Sequence, residues 1–340
     1  MRHSKLLIGT LALGLLALAT VRFTREVPPS AAPSAPLIAP AVFDGLRTLV
    51  VKANQKSVTI EKTASGWAVK EKLGLPADLE NRFVPLVRAL QKARNLGQLT
   101  ANPKRLEKLG LADSAVELTT TDGQVTRLEF GKQTEDGVGA AARLAGQTNA
   151  IRTDFSAYLE GDPLSWADLT LVTVKPAEVK SVVFTWQDGQ ASFGRKESGA
   201  PFEGKNAPAA EELVSAIATL RAADALPLGD ADAAKATRLA KVTLTLFNGA
   251  TVDIAFTRTP GTSPTDAGKT FVQASHSDPA HQANTAVRLA VFVAAPWMVE
   301  QLPASLKAFQ QGPGQPTEPS APPPPGPAAT IAPPTETKAK

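Results

Sequence analysis

Apolar and polar positions alternate along several short stretches of the chain, and this pattern predicts β-hairpins. The first pair of alternating stretches covers residues 46–52 and 57–62, with a short polar turn between them and a third short stretch at 66–69. Alternation with a period of two is typical of strands that bury one face. A second copy of the pattern covers residues 179–186 and 191–195 and is followed by 199–202. Asp188 and Gly189 lie between its strands and predict a tight turn, since both residue types tolerate positive φ.

A helix is predicted after each hairpin. In the first copy, four apolar residues at i, i+3, i+4 and i+7 form one stripe, namely Phe83, Leu86, Val87 and Leu90. Pro85 places the start of this helix just upstream, with Asn81 as the predicted cap. In the second copy, Asn206 is the predicted cap and Pro208 lies in the first turn, where proline is tolerated. Its apolar stripe is predicted from Leu213, Ile217 and Leu220.

Further hairpins follow both predicted helices in the same order. Residues 115–130 match 241–256, and the turn pairs Asp122-Gly123 and Asn248-Gly249 occupy the same place in each. Each copy is then predicted to contain two more strands and a closing short helix. The predicted strands are 141–144 with 150–153 and 270–274 with 286–293, and the predicted helices are 155–159 and 297–302. Because the whole order repeats, we interpret the region as a tandem duplication.

The sequence therefore predicts an α+β fold, a tandem duplication of a unit made of a β-hairpin, a helix and an antiparallel sheet. An N-terminal hydrophobic helix precedes the units and a disordered C-terminal tail follows them. The predicted boundaries are 1–23 for a signal peptide or membrane anchor, 24–41 for a Pro/Ala-rich linker, 42–168 for the first repeat, 169–311 for the second repeat, and 312–340 for the tail.

The first 23 residues have the pattern that protein export requires. Arg2, His3 and Lys5 precede an uncharged apolar run over 6–21, and Ala17-Leu18-Ala19 has the small-x-small form of a cleavage site. Two interpretations stay open, a cleaved signal peptide or an uncleaved anchor. In both, the positive-inside rule places the rest of the chain outside the cytoplasm. We expect a membrane-anchored periplasmic protein or, alternatively, one secreted to the periplasm after cleavage.

Composition excludes several classes of function. The chain has no Cys, which excludes disulfides, thiolate zinc sites, Cys nucleophiles and a lipid-modified Cys. Aromatic residues make up only 5%, so few side chains are available to stack on bases or sugars. The formal charge is +4, but basic and acidic residues are interspersed between the two ends of the chain. Because phosphate backbones bind clustered cations, we expect no nucleic-acid partner.

One loop holds residue types that bind metals. His276 and His281 are the histidines outside the leader, and Asp278 lies between them. Imidazole and carboxylate groups suit zinc, so a metal site here is one interpretation. The favoured interpretation is a solvated hairpin loop, because Asp278-Pro279 is a turn signal and residues 144–149 of the first copy hold no such ligands. No Gly-x-Ser-x-Gly elbow occurs. We expect no catalytic residue, no cofactor and no metal.

Three stretches of the chain resemble a known family. Residues 103–111 are similar to a short helix that ends in Gly-Leu, residues 130–132 to a Phe-Gly-Lys step, and residues 166–183 to the joint between two units. On these stretches the chain resembles the bacterial domain of unknown function 4340. It departs from the family at residues 139–143, where alanines replace an aromatic pair. The resemblance implies an exported, often membrane-anchored protein, encoded beside ABC-type export systems related to gliding-motility transporters.

Three hypotheses on function follow from the sequence. The leading one is a non-enzymatic accessory or scaffold protein, tethered to the membrane, that binds protein partners in the cell envelope, with ABC transporter subunits as the partners that the resemblance implies. The alternative is a module that binds envelope glycan or peptidoglycan, which low aromatic content disfavours. The third is a hydrolase or metal-dependent enzyme built on His276, Asp278 and His281.

Overall fold

The computed structural model describes residues 34–111, 113–134, 137, 139–261, 268–279 and 281–311. The predicted leader, the linker as far as residue 33 and the predicted tail over 312–340 lie outside these residues. In the part of the chain that the structure describes, no helix combines the length and the apolar character needed to cross a membrane.

The described residues form a mixed α and β structure with two antiparallel sheets. The first sheet has the strand order β4-β3-β2-β1-β6-β7-β8-β9-β5. Its strands are β1 (Leu46–Ala53), β2 (Lys56–Thr63), β3 (Gly66–Val69), β4 (Leu75–Pro76), β5 (Asn95–Thr100), β6 (Ser114–Thr120), β7 (Val125–Gln133), β8 (Ala140–Leu144) and β9 (Ala150–Thr153).

The second sheet has the strand order β11-β10-β13-β14-β15-β16-β12. Strand by strand, this is the order β2-β1-β6-β7-β8-β9-β5 of the first sheet. Both sheets also carry a register shift at the start of the equivalent strands β1 and β10, between Leu46 and Thr48 and between Val179 and Ser181. The strands are β10 (Val179–Trp186), β11 (Gly189–Gly194), β12 (Asp224–Pro227), β13 (Thr237–Leu246), β14 (Thr251–Arg258), β15 (Thr270–His276) and β16 (Ala290–Val293).

The helices are short and lie at equivalent places along the two sheets. One longer helix precedes β5 and one precedes β12, and a short helix then leads into β6 and into β13. The helices are α1 (Pro40–Asp44), α2 (Val84–Lys92), α3 (Pro103–Lys108), α4 (Ala207–Ile217), α5 (Ala231–Lys235), α6 (Gln282–Ala286), α7 (Pro296–Gln301) and α8 (Leu306–Gln311). A π-helical turn (Leu79–Phe83) leads into α2, and 3-10 turns cover Lys70–Lys72, Pro163–Trp166 and Pro176–Glu178.

The predicted hairpins are confirmed, although one turn has a different cause. The β1–β2 turn holds Asn54 and Gln55 at φ 53° and 62°, which matches a turn whose twist suits paired strands. In the β10–β11 hairpin, Trp186 pairs with Gly189, so Gly189 already belongs to the strand. Gly189 has a positive φ of 149° and Asp188 does not, so the predicted reason for the turn is confirmed for Gly189 and wrong for Asp188.

Neither predicted cap residue makes the capping hydrogen bond that was predicted for it. Asp78, not Asn81, caps the first helical segment, because its carboxylate accepts a hydrogen bond from the Asn81 backbone N–H at 3.1 Å. Asn206 holds the predicted position before α4, but at φ 66° its side chain makes no capping bond. Leu220 belongs to the buried core yet lies beyond the end of α4.

Three further predictions need correction. Residues 155–159 form no helix and no other regular secondary structure, and the helical turn follows at Pro163–Trp166. The strand predicted over 286–293 covers only Ala290–Val293, because α6 and a turn precede it. Residues 199–202 contribute no strand.

The predicted linker does not extend to residue 41. Leu37 and Ile38 are buried, and the Leu37 N–H donates to the Ala93 carbonyl at 2.9 Å. Helix α1 then begins at Pro40. Apolar side chains at 37 and 38 gain more from burial than from solvation, so this stretch packs on the first sheet.

One cluster of buried apolar side chains runs through both sheets. Leu49 and Val51 belong to it from β1, Val182 and Phe184 from β10, and Leu171 from the connection between the sheets. The two sheets therefore share a continuous core.

Candidate functional site

The connection between the sheets, residues 166–174, is hydrogen bonded to both of them and is called the joint segment here. On its first-sheet side, the Asp78 N–H donates to the Trp166 carbonyl at 2.7 Å, and the Asp168 N–H donates to the Pro76 carbonyl at 2.8 Å. Because Pro76 belongs to the edge strand β4, the joint segment extends this sheet by a further short strand.

On the other side, the joint segment bonds to the residues that follow α4. The Ala222 N–H donates to the Leu169 carbonyl at 2.9 Å, and the Leu171 N–H donates to the Leu220 carbonyl at 2.8 Å. Since backbone hydrogen bonds need fixed geometry, these contacts determine how the two sheets are placed relative to each other.

An ion pair also links the two sheets. Lys72 Nζ donates to Asp224 Oδ1 at 2.6 Å, and Asp224 is the first residue of the edge strand β12. The Lys72 side chain is 21% exposed, so it is partly shielded from solvent. Partial burial reduces the screening that makes surface ion pairs weak.

A cleft of about 660 Å³ lies along the joint segment, and we call it the inter-sheet cleft. Its first wall comes from the end of β3 and the chain from β4 into the π-helical turn. Its second wall comes from Arg221 and the residues around α6. The large apolar and charged side chains of its lining include Trp67, Asp78, Leu79, Glu80, Asp168, Arg221 and Leu289.

Apolar side chains in the inter-sheet cleft are partly open to solvent. Trp67 stacks on Phe83 with 4.4 Å between ring centroids, which holds the indole at the cleft wall. Leu79 is 40% exposed and Leu289 is 36% exposed, and they come from the first and second walls. An exposed apolar surface inside a concave, polar-rimmed site is typical of a surface that binds a partner.

The charged groups of the inter-sheet cleft are held by backbone and amide contacts. Asp78 accepts hydrogen bonds from the backbone and side-chain nitrogens of Asn81 at 3.1 and 3.0 Å. Asp168 Oδ1 accepts from the Thr170 N–H at 2.9 Å. Arg221 Nη2 donates to the Ala167 carbonyl at 3.3 Å. With Glu80, the cleft has three carboxylates against one guanidinium, so a cationic ligand group is favoured over an anionic one.

The described residues that line the inter-sheet cleft combine apolar and acidic side chains and include no histidine. The carboxylates of Asp78 and Asp168 are engaged by amide groups of neighbouring residues. Exposed apolar side chains beside carboxylates complement a ligand that carries an apolar group next to a basic one.

The structure places His276, Asp278 and His281 together in the loop that follows β15. The two imidazole rings stack with 4.4 Å between centroids and 10° between planes. Each Nδ1 atom accepts a backbone N–H, from Asp278 at 3.0 Å and from Ala283 at 3.3 Å. Burial, followed by the neighbouring His276, lowers the pKa of His281 below its ordinary value of 6.5.

These contacts organise a loop. Asn284 completes it, because its side chain bonds to the backbone of His276 and to the Asp278 carbonyl at 2.7 Å. Among the described residues, no group of three or more His, Asp or Glu side chains is placed to hold a metal ion. The parallel stack keeps the two imidazole rings from pointing at a common ion.

The sequence did not predict the inter-sheet cleft. Trp67 was predicted to lie in the short strand at 66–69 and to serve core packing or interface burial rather than ligand binding, and Arg221 and Leu289 carry no motif. Their signal is spatial, since the cleft forms only when the joint segment brings β4 against the chain after α4.

Comparison with known proteins gives one match. A family model described as Domain of unknown function (DUF4340) matches residues 67–242, which is more than half of the chain. The match runs from β3 of the first sheet to β13 of the second, and includes the joint segment and the first wall of the inter-sheet cleft. No curated protein and no solved structure matches the chain.

Proposed function

The chain belongs to the DUF4340 family, and from that premise and the geometry of the inter-sheet cleft we propose that it is a non-enzymatic accessory or scaffold protein that binds a protein partner in the cleft. The observation that carries this proposal is the cleft itself, which joins exposed apolar side chains to an excess of carboxylates. Protein partners with an apolar anchor beside Lys or Arg fit this chemistry.

The proposal includes a tandem duplication as the origin of the two sheets. Support comes from the shared strand order and from the register shift at the same place in the equivalent strands β1 and β10. Because the two sheets share a continuous core, they form one body, and the inter-sheet cleft needs residues from both sheets.

The proposal also places the protein outside the cytoplasm, tethered to the membrane by residues 1–23. The basic leader followed by an uncharged apolar run supports this location. The partners that the family resemblance suggests are subunits of an ABC-type export system, whose external segments are within reach of a tethered protein.

Two substitutions in the inter-sheet cleft test the proposal. Leu79→Asp and Leu289→Asp together place two carboxylates among the exposed apolar side chains and should abolish an apolar contact without opening the core. Intact cells that express the tagged full chain are cross-linked, the chain is captured, and the amount of each co-purified protein is measured. We expect a partner that is recovered with the parent and falls at least about tenfold with the double variant, since two apolar anchors are worth over about 1.4 kcal/mol.

Val125→Asp is the matched control. Val125 is 58% exposed at the start of β7 and lies outside the cleft. This variant should recover the same partner in the same amount as the parent. Recovery of the parent chain alone, or equal loss of the partner in the control, would contradict the proposed function.

A further inference from the structure

A second cleft of about 580 Å³ lies at one end of the second sheet and is rich in basic residues. We call it the basic cleft. Its cations are Lys235 at the end of α5, Arg238 at the start of β13 and Arg258 at the end of β14. Gln187 and Asp188 of the β10–β11 turn, Thr237, Thr259 and Ser305 add polar groups to its wall.

None of the three cations of the basic cleft forms an ion pair with another described residue. Arg258 Nε donates to Thr270 Oγ1 at 3.0 Å, which fixes the guanidinium group at the cleft wall. The carboxylate of Asp232 near Lys235 is already bound to Lys269 at 2.6 Å. Unpaired cations that line one concavity produce a positive potential there.

Asp188 is the carboxylate of the basic cleft, and its oxygens are engaged elsewhere. Oδ1 accepts the Leu306 N–H at 2.9 Å, and Oδ2 accepts the Lys307 N–H at 3.3 Å. These bonds lower the pKa of Asp188, so it stays ionised and caps the start of α8. Among the described residues that line the basic cleft, three cations therefore face one carboxylate.

Basic residues that fill no structural role at a concave surface are typical of ligand contacts. Arginine matches phosphate oxygens with two parallel N–H bonds, and lysine adds a point charge. We propose that the basic cleft binds a phosphate group, carried either by a lipid headgroup or by a free phosphate compound.

Substitution of the two exposed cations tests this site. Lys235→Gln with Arg238→Gln removes two charges and leaves Arg258, which bonds to Thr270, in place. The full chain in detergent is titrated with inorganic phosphate by calorimetry. It is also bound to vesicles that contain phosphatidylglycerol in phosphatidylcholine, and to vesicles of phosphatidylcholine alone. Since each basic residue near an anionic surface contributes about fivefold, we expect the double variant to bind anionic vesicles about 30-fold more weakly than the parent.

The control variant is Lys52→Gln with Arg88→Gln, which removes one exposed Lys and one exposed Arg from the first sheet and α2. It should bind as the parent does. Heat on titration with inorganic phosphate that disappears in the Lys235/Arg238 variant assigns the site to free phosphate compounds. Selective loss of vesicle binding alone assigns it to a lipid headgroup. Equal binding of parent and Lys235/Arg238 variant to both probes, or an equal loss in the control, would overturn the site.

Discussion

At the scale of single residues, Arg195, which directly follows β11 of the second sheet, is a charged residue buried in the protein. Its side chain is 3% exposed, and its guanidinium lies 3.9 Å from the centre of the Phe202 ring. Nη2 donates to Glu211 of α4 at 2.9 Å, and the other oxygen of Glu211 accepts the Phe202 N–H at 2.7 Å. Nε has no partner among the described residues. The Glu211 carboxylate therefore offsets the free-energy cost of burying the charged Arg195 guanidinium.

Glu211→Ala tests this arrangement. Without the carboxylate, Arg195 becomes a buried charge with no counter-ion, and the Phe202 N–H loses its acceptor. We expect the free energy of unfolding to fall by about 3 kcal/mol. Urea denaturation of the parent and the variant measures it. The neighbouring Glu212 is exposed and serves as the control, because Glu212→Ala should change the free energy of unfolding by less than about 0.5 kcal/mol. Equal effects of the two substitutions would contradict the role of Glu211.

Some single-residue features were visible in the sequence and others were not. Asp162 before Pro163 forms a cap, with its carboxylate accepting the Leu164 N–H at 3.2 Å, and this chemistry is local. The predicted cap at Asn81 failed because the helical segment already begins at Leu79, where Asp78 is the cap and accepts the Asn81 backbone N–H. A local pattern identifies the residue types that cap a helix but leaves the choice between near neighbours to the fold.

At the scale of elements, strands that alternate strongly were predicted and strands that do not were missed. β1, β7, β10 and β14 have the period-two pattern of one buried face. β5 is mostly exposed and pairs with β9 through two register shifts, so its sequence shows no alternation. Such an edge strand forms because it pairs with a neighbouring strand. Its own residues therefore lack the apolar and polar alternation that identifies a strand in the sequence.

Tertiary contacts explain why the helix predicted over residues 155–159 does not form. Phe155 and Leu159 have helical spacing, but both side chains are buried in a segment without regular secondary structure. Phe155 stacks on Phe130 of β7 with 4.4 Å between centroids. Contacts with the sheet override the local preference for a helix.

The segment that leads into the joint depends on Gly161. A Cβ atom at this position would lie 2.5 Å from the carbonyl oxygens of Ala53 and Lys56, which flank the β1–β2 turn. Backbone atoms cannot move as a side chain can, so Gly161→Ala should reduce the free energy of unfolding by about 1–3 kcal/mol. Gly229→Ala is the control, because a Cβ there meets no atom within 4 Å. Thermal unfolding of both variants tests the contact between position 161 and the two carbonyl oxygens. An unchanged unfolding midpoint for Gly161→Ala would show that this contact does not constrain the chain.

At the scale of the whole molecule, the sequence predicted an α+β chain with repeated elements and missed what their assembly creates. The continuous core and the joint segment place two similar sheets side by side. The inter-sheet cleft needs residues as far apart in sequence as Trp67 and Leu289. The basic cleft brings together residues of the β10–β11 turn, α5, β13 and β14, which share no local pattern in the sequence.

Photo-cross-linking in intact cells is the most direct test of the inter-sheet cleft as a partner site. A photoreactive amino acid replaces Leu289 in the full chain, and a second version carries it at Val125, outside the cleft. Our account predicts a discrete adduct of higher mass from position 289 that contains a second protein, and no such adduct from position 125. Absence of an adduct at position 289, or the same adducts from both positions, would contradict it.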